Sequence, residues 1–316
     1  WDFDMSSGVL EDPYGIRGTE NLWISRMYED PAFLNAVKKK WISKRTGLLQ
    51  FITRKINDNA RKLHYSQQTN FNFWNQFYGV ISDEYTTFHQ ERSYDDDIFH
   101  FKKWMNQRVT WLDKQFAADS NSFMPVTRDF YHVFNEDSEI KGKLESFQSF
   151  ENTGNYKIVS APKNGKLTLD KISGEYIYSP NTNYNSVDSA FFIYNDGLNN
   201  SDSGLIHFEI LPVNDLPVTK DGIIEMKEDG IVEKSISAGL SLYTNDIELD
   251  PLSFEIVTNV KHGGLVLNTN GSFKYIPEKN YFGSDTFYFK AKDLKGSSNI
   301  SYIIFNIQPV NDAPVA

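Results

Sequence analysis

The chain has 316 residues, a net charge of −10 and no cysteine, so it is long enough for two or three domains. The absence of cysteine excludes disulfides and thiolate metal sites, and the acidic charge disfavours nucleic acid, whose phosphates would be repelled. No apolar run reaches the length of a bilayer span, and no signal peptide is visible. Residues 1–120 carry 16 basic and 16 acidic side chains, so the whole acidic excess lies in residues 121–316.

Residues 21–117 show helical patterns. Asp30-Pro31 predicts a helix start, because a capping carboxylate precedes a proline at the first helical position. A buried stripe with helical spacing follows at Phe33, Val37 and Trp41. A middle helix is predicted from Ile52 to Gln68. Ser93-Tyr94-Asp95-Asp96 resembles a capping box and predicts a last helix, whose apolar positions continue to Phe116.

The order of these features resembles the C-terminal end of the CotH family, the spore-coat-type atypical protein kinases. The residues that carry the resemblance are Trp1-Asp2-Phe3-Asp4, Gly8, Trp23, Arg26, Asp30-Pro31-Ala32-Phe33, Lys40-Trp41 and residues 102–113. The resemblance covers residues 1–117 and implies a parent protein that uses Mg²⁺ and ATP. Asp2 or Asp4 would hold the metal, since carboxylates at i and i+2 of a strand point to one side. The alternative is that both are solvated carboxylates near a terminus.

The parts of a kinase that carry out phosphoryl transfer are not found in this stretch. By the resemblance, the phosphate loop, its lysine and the catalytic Asp would precede Trp1, and no glycine-rich phosphate loop occurs in residues 1–120. We therefore expect the chain to be a fragment of a longer protein, without a catalytic residue of its own. The alternative is a helical part that serves only as a scaffold.

The second part of the chain repeats itself. The motif Asn214-Asp215-Leu216-Pro217 returns at residues 311–314, and residues 174–180 return as residues 271–277. Tyr184 and Asp188 likewise return as Tyr281 and Asp285. A period of about 95 residues is typical of stacked modules rather than of one enzyme core.

Short alternating runs predict about seven strands in the second copy. These runs are centred on Ile223-Ile224, Ile231-Val232, Phe254-Glu255-Ile256, Leu265-Val266-Leu267, Phe273 and Tyr275, residues 287–291, and Tyr302 and Ile304. The pattern favours a β-sandwich of immunoglobulin or cadherin type. The predicted chain is thus multidomain: a mainly α-helical C-terminal portion of a CotH-kinase-like domain at residues 1–120, and two all-β sandwiches at residues 121–216 and 217–316.

Residues 125–316 resemble the cadherin-like tandem repeats of bacterial surface proteins, which end in Asn-Asp-x-Pro. Similar modules bind Ca²⁺ where repeats meet, and Ca²⁺ takes six to eight oxygen ligands. The candidate ligands are Asn214, Asp215, Glu228, Asp229, Asp246, Glu248, Asp250 and Asp293. The alternative is a rigid turn with solvated carboxylates, because the full cadherin linker is absent around Asn214.

Together these features predict a fragment of a secreted or cell-surface bacterial protein. It would combine a CotH-like kinase portion with Ca²⁺-binding adhesion or spacer repeats, and its partners would be cell-surface or matrix proteins, bound by adhesion or phosphorylated by the parent. The alternative is a non-catalytic adhesin or scaffold. Glycan binding by exposed tyrosines is not favoured, because the sequence shows no arranged aromatic platform.

Overall fold

The computed structural model describes residues 26–27, 29–78, 93–116, 124–148 and 154–311. The chain divides into two compact units, Trp1–Pro212 and Val213–Ala316. Within the described residues, the first unit contains two long helices and a β-sandwich, and the second contains another β-sandwich. The two predicted all-β sandwiches are therefore confirmed.

The first helix, α1, spans Pro31–Tyr78 without interruption. It starts where predicted, and Oδ1 of Asp30 accepts a hydrogen bond of 2.8 Å from the backbone N–H of Ala32. The stretch from Ile52 to Gln68, predicted as a separate helix, belongs to the same helix. The connecting residues contain no proline, and Gly47 costs only about 1 kcal/mol in a helix interior, which does not end a helix supported by packing.

The second helix, α2, spans Tyr94–Gln115 and begins with the predicted capping box. Oγ of Ser93 accepts from the backbone N–H of Asp96 at 3.2 Å, and Oδ2 of Asp96 accepts from the backbone N–H of Ser93 at 3.1 Å. Three aspartates in the first turn add a favourable interaction with the helix dipole.

The first sandwich consists of strands β1 to β9. Their bounds are β1 Val126–Thr127, β2 Phe130–Asn135, β3 Ile140–Lys143, β4 Ser146–Phe147, β5 Asn155–Ser160, β6 Gly165–Leu169, β7 Glu175–Pro180, β8 Val187–Asn195 and β9 Gly204–Leu211. One sheet has the order β2-β9-β8-β5, the other has the order β3-β7-β6, and β1 pairs with β4. Strand β2 runs parallel to β9, whereas the other pairs are antiparallel.

The second sandwich has the same topology, built from strands β10 to β18. Their bounds are β10 Val218–Thr219, β11 Gly222–Lys227, β12 Val232–Lys234, β13 Thr244–Asn245, β14 Ser253–Thr258, β15 Gly263–Leu267, β16 Phe273–Pro277, β17 Gly283–Lys292 and β18 Ser301–Gln308. The sheets are β11-β18-β17-β14 and β12-β16-β15, and β10 pairs with β13. Two 3-10 turns, Ile236–Ala238 and Leu240–Tyr243, precede β13.

Each sandwich is filled by aromatic side chains from alternating strand positions. Tyr178 stacks on Phe208 in the first sandwich with a centroid distance of 3.9 Å. Tyr275 stacks on Phe305 in the second, also at 3.9 Å. All four rings are fully buried, so the sequence repeat preserves a central aromatic pair.

Both helices of the first unit pack against the first sandwich. Nε and Nη2 of Arg61 in α1 donate to the two carboxylate oxygens of Asp129, at 2.8 and 3.0 Å. Lys102 in α2 donates to the carbonyl oxygen of Thr127 at 2.5 Å. The expected boundary at residue 120 therefore separates two kinds of secondary structure inside one compact unit.

Candidate metal centre in the second unit

Pairing of two short strands brings the Asn-Asp linker of the second unit beside an acidic loop. Strand β10 follows the linker and β13 leads into the loop, with Val218 paired to Asn245. We use the term acidic cluster for six predicted ligands that lie in the linker, in the acidic loop and in the turn after β17. They are Asn214, Asp215, Asp246, Glu248, Asp250 and Asp293.

Hydrogen bonds join the linker to two other parts of the unit. The backbone N–H of Asp215 donates to Oε1 of Glu248 at 3.2 Å, and Nδ2 of Asn214 donates to Oδ2 of Asp293 at 2.9 Å. Asn214 also donates to the carbonyl oxygen of Asp215 at 2.8 Å, which fixes the direction of its amide. The linker, the acidic loop and the turn after β17 are thus held together.

Asp293 is fixed as an anion at this junction. The Asn214 amide, and next the backbone N–H of Gly296, lower the pKa of Asp293 below its usual range. Oδ1 of Asp293 also accepts a hydrogen bond from the backbone N–H of Lys295. A carboxylate with a lowered pKa is ionised at neutral pH and so can serve as a cation ligand.

Two carboxylate oxygens in the acidic loop are buried without a hydrogen-bond partner. They are Oδ2 of Asp246 and Oε2 of Glu248. The second oxygen of Asp246, Oδ1, accepts from the backbone N–H of Asp250 at 2.9 Å, so that carboxylate is held in place. Burial of an unpartnered charged oxygen is costly, and a bound cation would remove that cost.

The acidic loop also has a strained backbone. Leu249, between Glu248 and Asp250, has a φ of +59°, and its side chain is 84% exposed. A left-handed conformation raises the energy of a leucine backbone, and the exposed side chain gains no burial energy that would offset this cost. Strain of this kind concentrates at functional loops.

The acidic cluster is an open set of oxygens rather than a completed cage. Among the described residues, no three His, Asp or Glu side chains form a ready metal-binding group. Ca²⁺ also accepts amide and backbone carbonyl oxygens, which Asn214 and Asp215 can supply. The donors present fit a hard cation, and binding would draw the carboxylates closer together.

Two predicted ligands lie elsewhere in the second unit. Glu228 and Asp229 follow β11, whereas the linker precedes it, and six strand residues span roughly 20 Å. Oε1 of Glu228 accepts from the backbone N–H of Val310, and Oδ1 of Asp229 accepts from that of Asn280. The structure therefore does not bring these two carboxylates to the acidic cluster.

The first sandwich lacks most of this oxygen set at the corresponding positions. Gln148 follows β4 where Asp246 follows β13, and Ser122-Phe123 precede β1 where Asn214-Asp215 precede β10. Only Asp196 retains the role of Asp293, accepting backbone N–H groups of its own turn. Among the residues that the structure describes, the acidic cluster is therefore a feature of the second sandwich.

Sequence reasoning did not single out Glu136, which is 3% exposed in the first unit. It occupies the position of Glu228, one period earlier, and Nδ2 of Asn185 donates to its Oε1 at 3.2 Å. Pro125 and Pro217 are 92 residues apart, and the same spacing applied to Glu228 would have identified Glu136. Asp2 and Asp4, the predicted Mg²⁺ and ATP ligands, lie outside the described residues.

Comparison with protein families assigns the second unit. Residues 214–309 match the family described as "Bacterial cadherin-like domain". This part of the chain is therefore similar to bacterial cadherin-like domains, in agreement with the resemblance seen in the sequence. The match does not extend to residues 1–120, where the CotH resemblance gains no support. No curated protein matches the sequence.

Solved structures resemble the chain only weakly. Human mucin-like protocadherin EC1-2 has 15% identity and a TM-score of 0.39, with 59% of this chain and 98% of that chain covered. Human desmocollin-1 has 12% identity and a TM-score of 0.40, with 60% and 41% covered. An endo-fucoidan hydrolase of glycoside hydrolase family 107 has 16% identity and a TM-score of 0.27, and the aligned part spans 29% of that enzyme. Scores this low support no functional inference.

Neither described helix combines the length and the apolar character needed to cross a membrane.

Proposed function

We propose that this chain is an adhesion or spacer segment of a secreted or surface-attached bacterial protein, and that the acidic cluster of its second unit binds Ca²⁺. The observation that carries the proposal is the pair of buried, unpartnered oxygens on Asp246 and Glu248. The cadherin-like assignment of residues 214–309 supports an extracellular role for the same unit.

The charge balance of the site favours a divalent cation. Asp246, Glu248 and Asp293 form no ion pair with a lysine or arginine in the described part of the chain. A cation that drew these carboxylates together would offset the repulsion between their like charges. Ca²⁺ would neutralise these charges and fix the linker relative to the loop.

The residues of the cluster have separate roles in this proposal. Asp246 and Glu248 would contribute the unpartnered carboxylate oxygens, and Asp293 would contribute an anion oriented by Asn214. The linker around Asp215, stiffened by Pro217 and by its hydrogen bonds, would become more rigid when a cation neutralises the loop. A rigid linker is what a spacer or adhesive array requires, and the partners would be cell-surface or matrix proteins.

The kinase interpretation of residues 1–120 has less support than a structural role. The described helices pack polar side chains against the first sandwich. Arg61, for example, forms an ion pair with Asp129. A helical scaffold that caps the first sandwich accounts for these contacts without Mg²⁺ or ATP. A parent protein with kinase activity would instead lose ATP binding when Asp2 and Asp4 are changed to Asn.

Thermal unfolding of the full chain with Ca²⁺ and with chelator tests the calcium proposal. At about one hundred times the Kd, Ca²⁺ should stabilise the second unit by about 2.7 kcal/mol. Asp246→Asn combined with Glu248→Gln should abolish the Ca²⁺-dependent increase in Tm. Asp229→Asn is the matched control, because Asp229 lies apart from the cluster and Asn tolerates its φ of +59°. Coincident melting curves for the unmodified chain would rule the proposal out.

A further inference from the structure

We propose that Lys102, Asn57 and Asp202 form a self-processing cross-linking centre, in which the lysine amine and the asparagine carboxamide condense to an intramolecular isopeptide bond. The three residues belong to the first unit and the proposal is independent of Ca²⁺. The chain has no cysteine, so a disulfide cannot provide a covalent link between its elements.

One carboxylate oxygen bridges the two reacting groups. Oδ2 of Asp202 lies 2.5 Å from Nζ of Lys102 and accepts a hydrogen bond of 2.7 Å from Nδ2 of Asn57. The other oxygen, Oδ1, accepts from the backbone N–H of Thr127 at 2.8 Å, which fixes the carboxylate. A carboxylate that contacts both the amine nitrogen and the amide nitrogen can carry the proton that amide exchange must move from one to the other.

The centre is shielded from water. Lys102 is 2% exposed and Asn57 is 5% exposed, and lysine is rarely buried to this degree. Both side chains line one small cavity, which Phe99 and the charged residues Asp95 and Asp129 also line, and Asn57 and Asp202 line a second, larger pocket as well. Exclusion of water protects the acyl carbon from hydrolysis and strengthens every electrostatic interaction in the centre.

The second unit shows that the fold itself does not require this lysine and carboxylate. Asn299 stands where Asp202 stands, one period later, and its Oδ1 and Nδ2 bond to the N–H and C=O of Thr219 at 2.8 and 2.9 Å. In the first unit the corresponding residue is Thr127. Its N–H donates to Asp202, and its C=O accepts from Lys102. A neutral asparagine therefore fulfils the structural role, and the buried ion pair is costlier than it needs to be for structure alone.

The reaction balances without an oxidant or a reductant. One proton moves from Nζ of Lys102 to Oδ2 of Asp202, and the neutral amine attacks Cγ of Asn57. Asp202 then gives its proton to Nδ2, the Cγ–Nδ2 bond breaks and ammonia leaves. The ammonia takes the second proton from Nζ and departs as ammonium, while Asp202 returns to its carboxylate form. One C–N bond forms and one breaks.

The product would join the two helices covalently where they meet the first sandwich. Asn57 lies in α1 and Lys102 in α2, so the bond would close a loop that contains the whole connection between the helices. Such a link would keep the two helices together under mechanical load, which suits an extracellular spacer.

Intact mass spectrometry of the purified full chain tests the proposal directly. The measured mass should be lower than the sequence mass by one ammonia, and a tryptic digest should contain one branched peptide joining the segments around Asn57 and Lys102. Lys102→Met and Asp202→Asn should each restore the full sequence mass. Lys103→Met, one position further along α2, is the matched control and should still lose ammonia.

A second measurement separates the isopeptide from a succinimide. The Asn-Gly pairs Asn164-Gly165 and Asn270-Gly271 can also lose ammonia, but a succinimide is hydrolysed by mild alkali and an isopeptide bond is not. A full sequence mass for the unmodified chain would overturn the proposal, as would a deficit that disappears in alkali. Loss of one water that persists in alkali would indicate a Lys102–Asp202 amide and would also overturn the assignment of Asn57. The unmodified chain decides each of these outcomes, even if a variant fails to fold.

Discussion

The hydroxyl of Tyr275 donates a hydrogen bond of 2.9 Å to Oδ2 of Asp285, and Tyr178 makes the same bond to Asp188 in the first sandwich. Asp285 also accepts from the backbone N–H groups of Lys261 and of the next residue, each at 2.8 Å. Through Asp285, Tyr275 in the central strand β16 is therefore connected to the loop before β15. Its physical role explains why tyrosine and aspartate recur at this spacing in the sequence.

Removing the Tyr275 hydroxyl should destabilise the second unit. Tyr275→Phe leaves the ring packing intact but takes one donor from the buried Asp285 carboxylate, which should cost about 2 kcal/mol. Chemical denaturation followed by fluorescence would measure the loss. Tyr288→Phe, at a side chain 41% exposed, is the control and should change the free energy of unfolding by less than about 0.5 kcal/mol. Equal effects of the two changes would contradict this role.

The pKa of Asp293 should depend on Asn214. Because the Asn214 amide is the main cause of the lowered pKa, Asn214→Ala should raise it toward the usual value for aspartate. A lowered carboxyl pKa contributes stability that is present above the unfolded-state pKa and is lost as pH falls through the folded-state pKa. In the variant the two pKa values lie closer together, so this contribution at neutral pH should be smaller and less stability should be lost on acidification. Carboxyl titration by NMR would show it, and Asn306→Ala, which removes a bond to Glu225, should leave Asp293 unchanged.

Relief of backbone strain at Leu249 should stabilise the chain in the absence of Ca²⁺. Glycine adopts a positive φ without penalty, so Leu249→Gly should add about 1 kcal/mol to the free energy of unfolding of the second unit. Leu294→Gly provides a control of opposite sign. That side chain is 90% exposed, and Leu294 is not among the residues with positive φ, so glycine there should destabilise by about 0.5–1 kcal/mol. Destabilisation by both changes would refute the strain argument.

The contact of α1 with the first sandwich should depend on Arg61. Arg61→Met leaves the largely buried Asp129 carboxylate without its cation and should cost about 3 kcal/mol in the first unit. Adding Asp129→Asn should recover part of the loss, because the uncompensated charge is gone. Lys62→Met, at an exposed neighbouring position, is the control. Hydrogen exchange of the α1 amides would report the effect, and unchanged protection in Arg61→Met would contradict it.

The sequence was sufficient for the features set by local chemistry and by the repeat. The Ser93 capping box and the start of α1 at Pro31 depend on neighbouring residues, and the strands follow from alternation. The packing of the helices on the first sandwich could not be predicted, because the residues in contact are distant in sequence. Asn57 and Asp202 are 145 residues apart, and no local pattern indicates that they meet.

The candidate site was predicted in part for a similar reason. Composition identified the acidic residues of the second unit, and the linker motif identified Asn214 and Asp215. Which carboxylates lie together depends on strand direction: β11 carries the chain away from the linker before Glu228 is reached, whereas the pairing of β10 with β13 returns the loop to it. The direction of these strands can be read from the structure but not from the sequence.

Calcium binding by the acidic cluster can be followed residue by residue in an NMR titration with Ca²⁺. We expect saturable shifts at Asn214, Asp215, Asp293 and residues 246–250, with little change at Glu228 and Asp229. No shifts at the acidic cluster, or shifts that are largest around Glu228 and Asp229, would contradict this expectation.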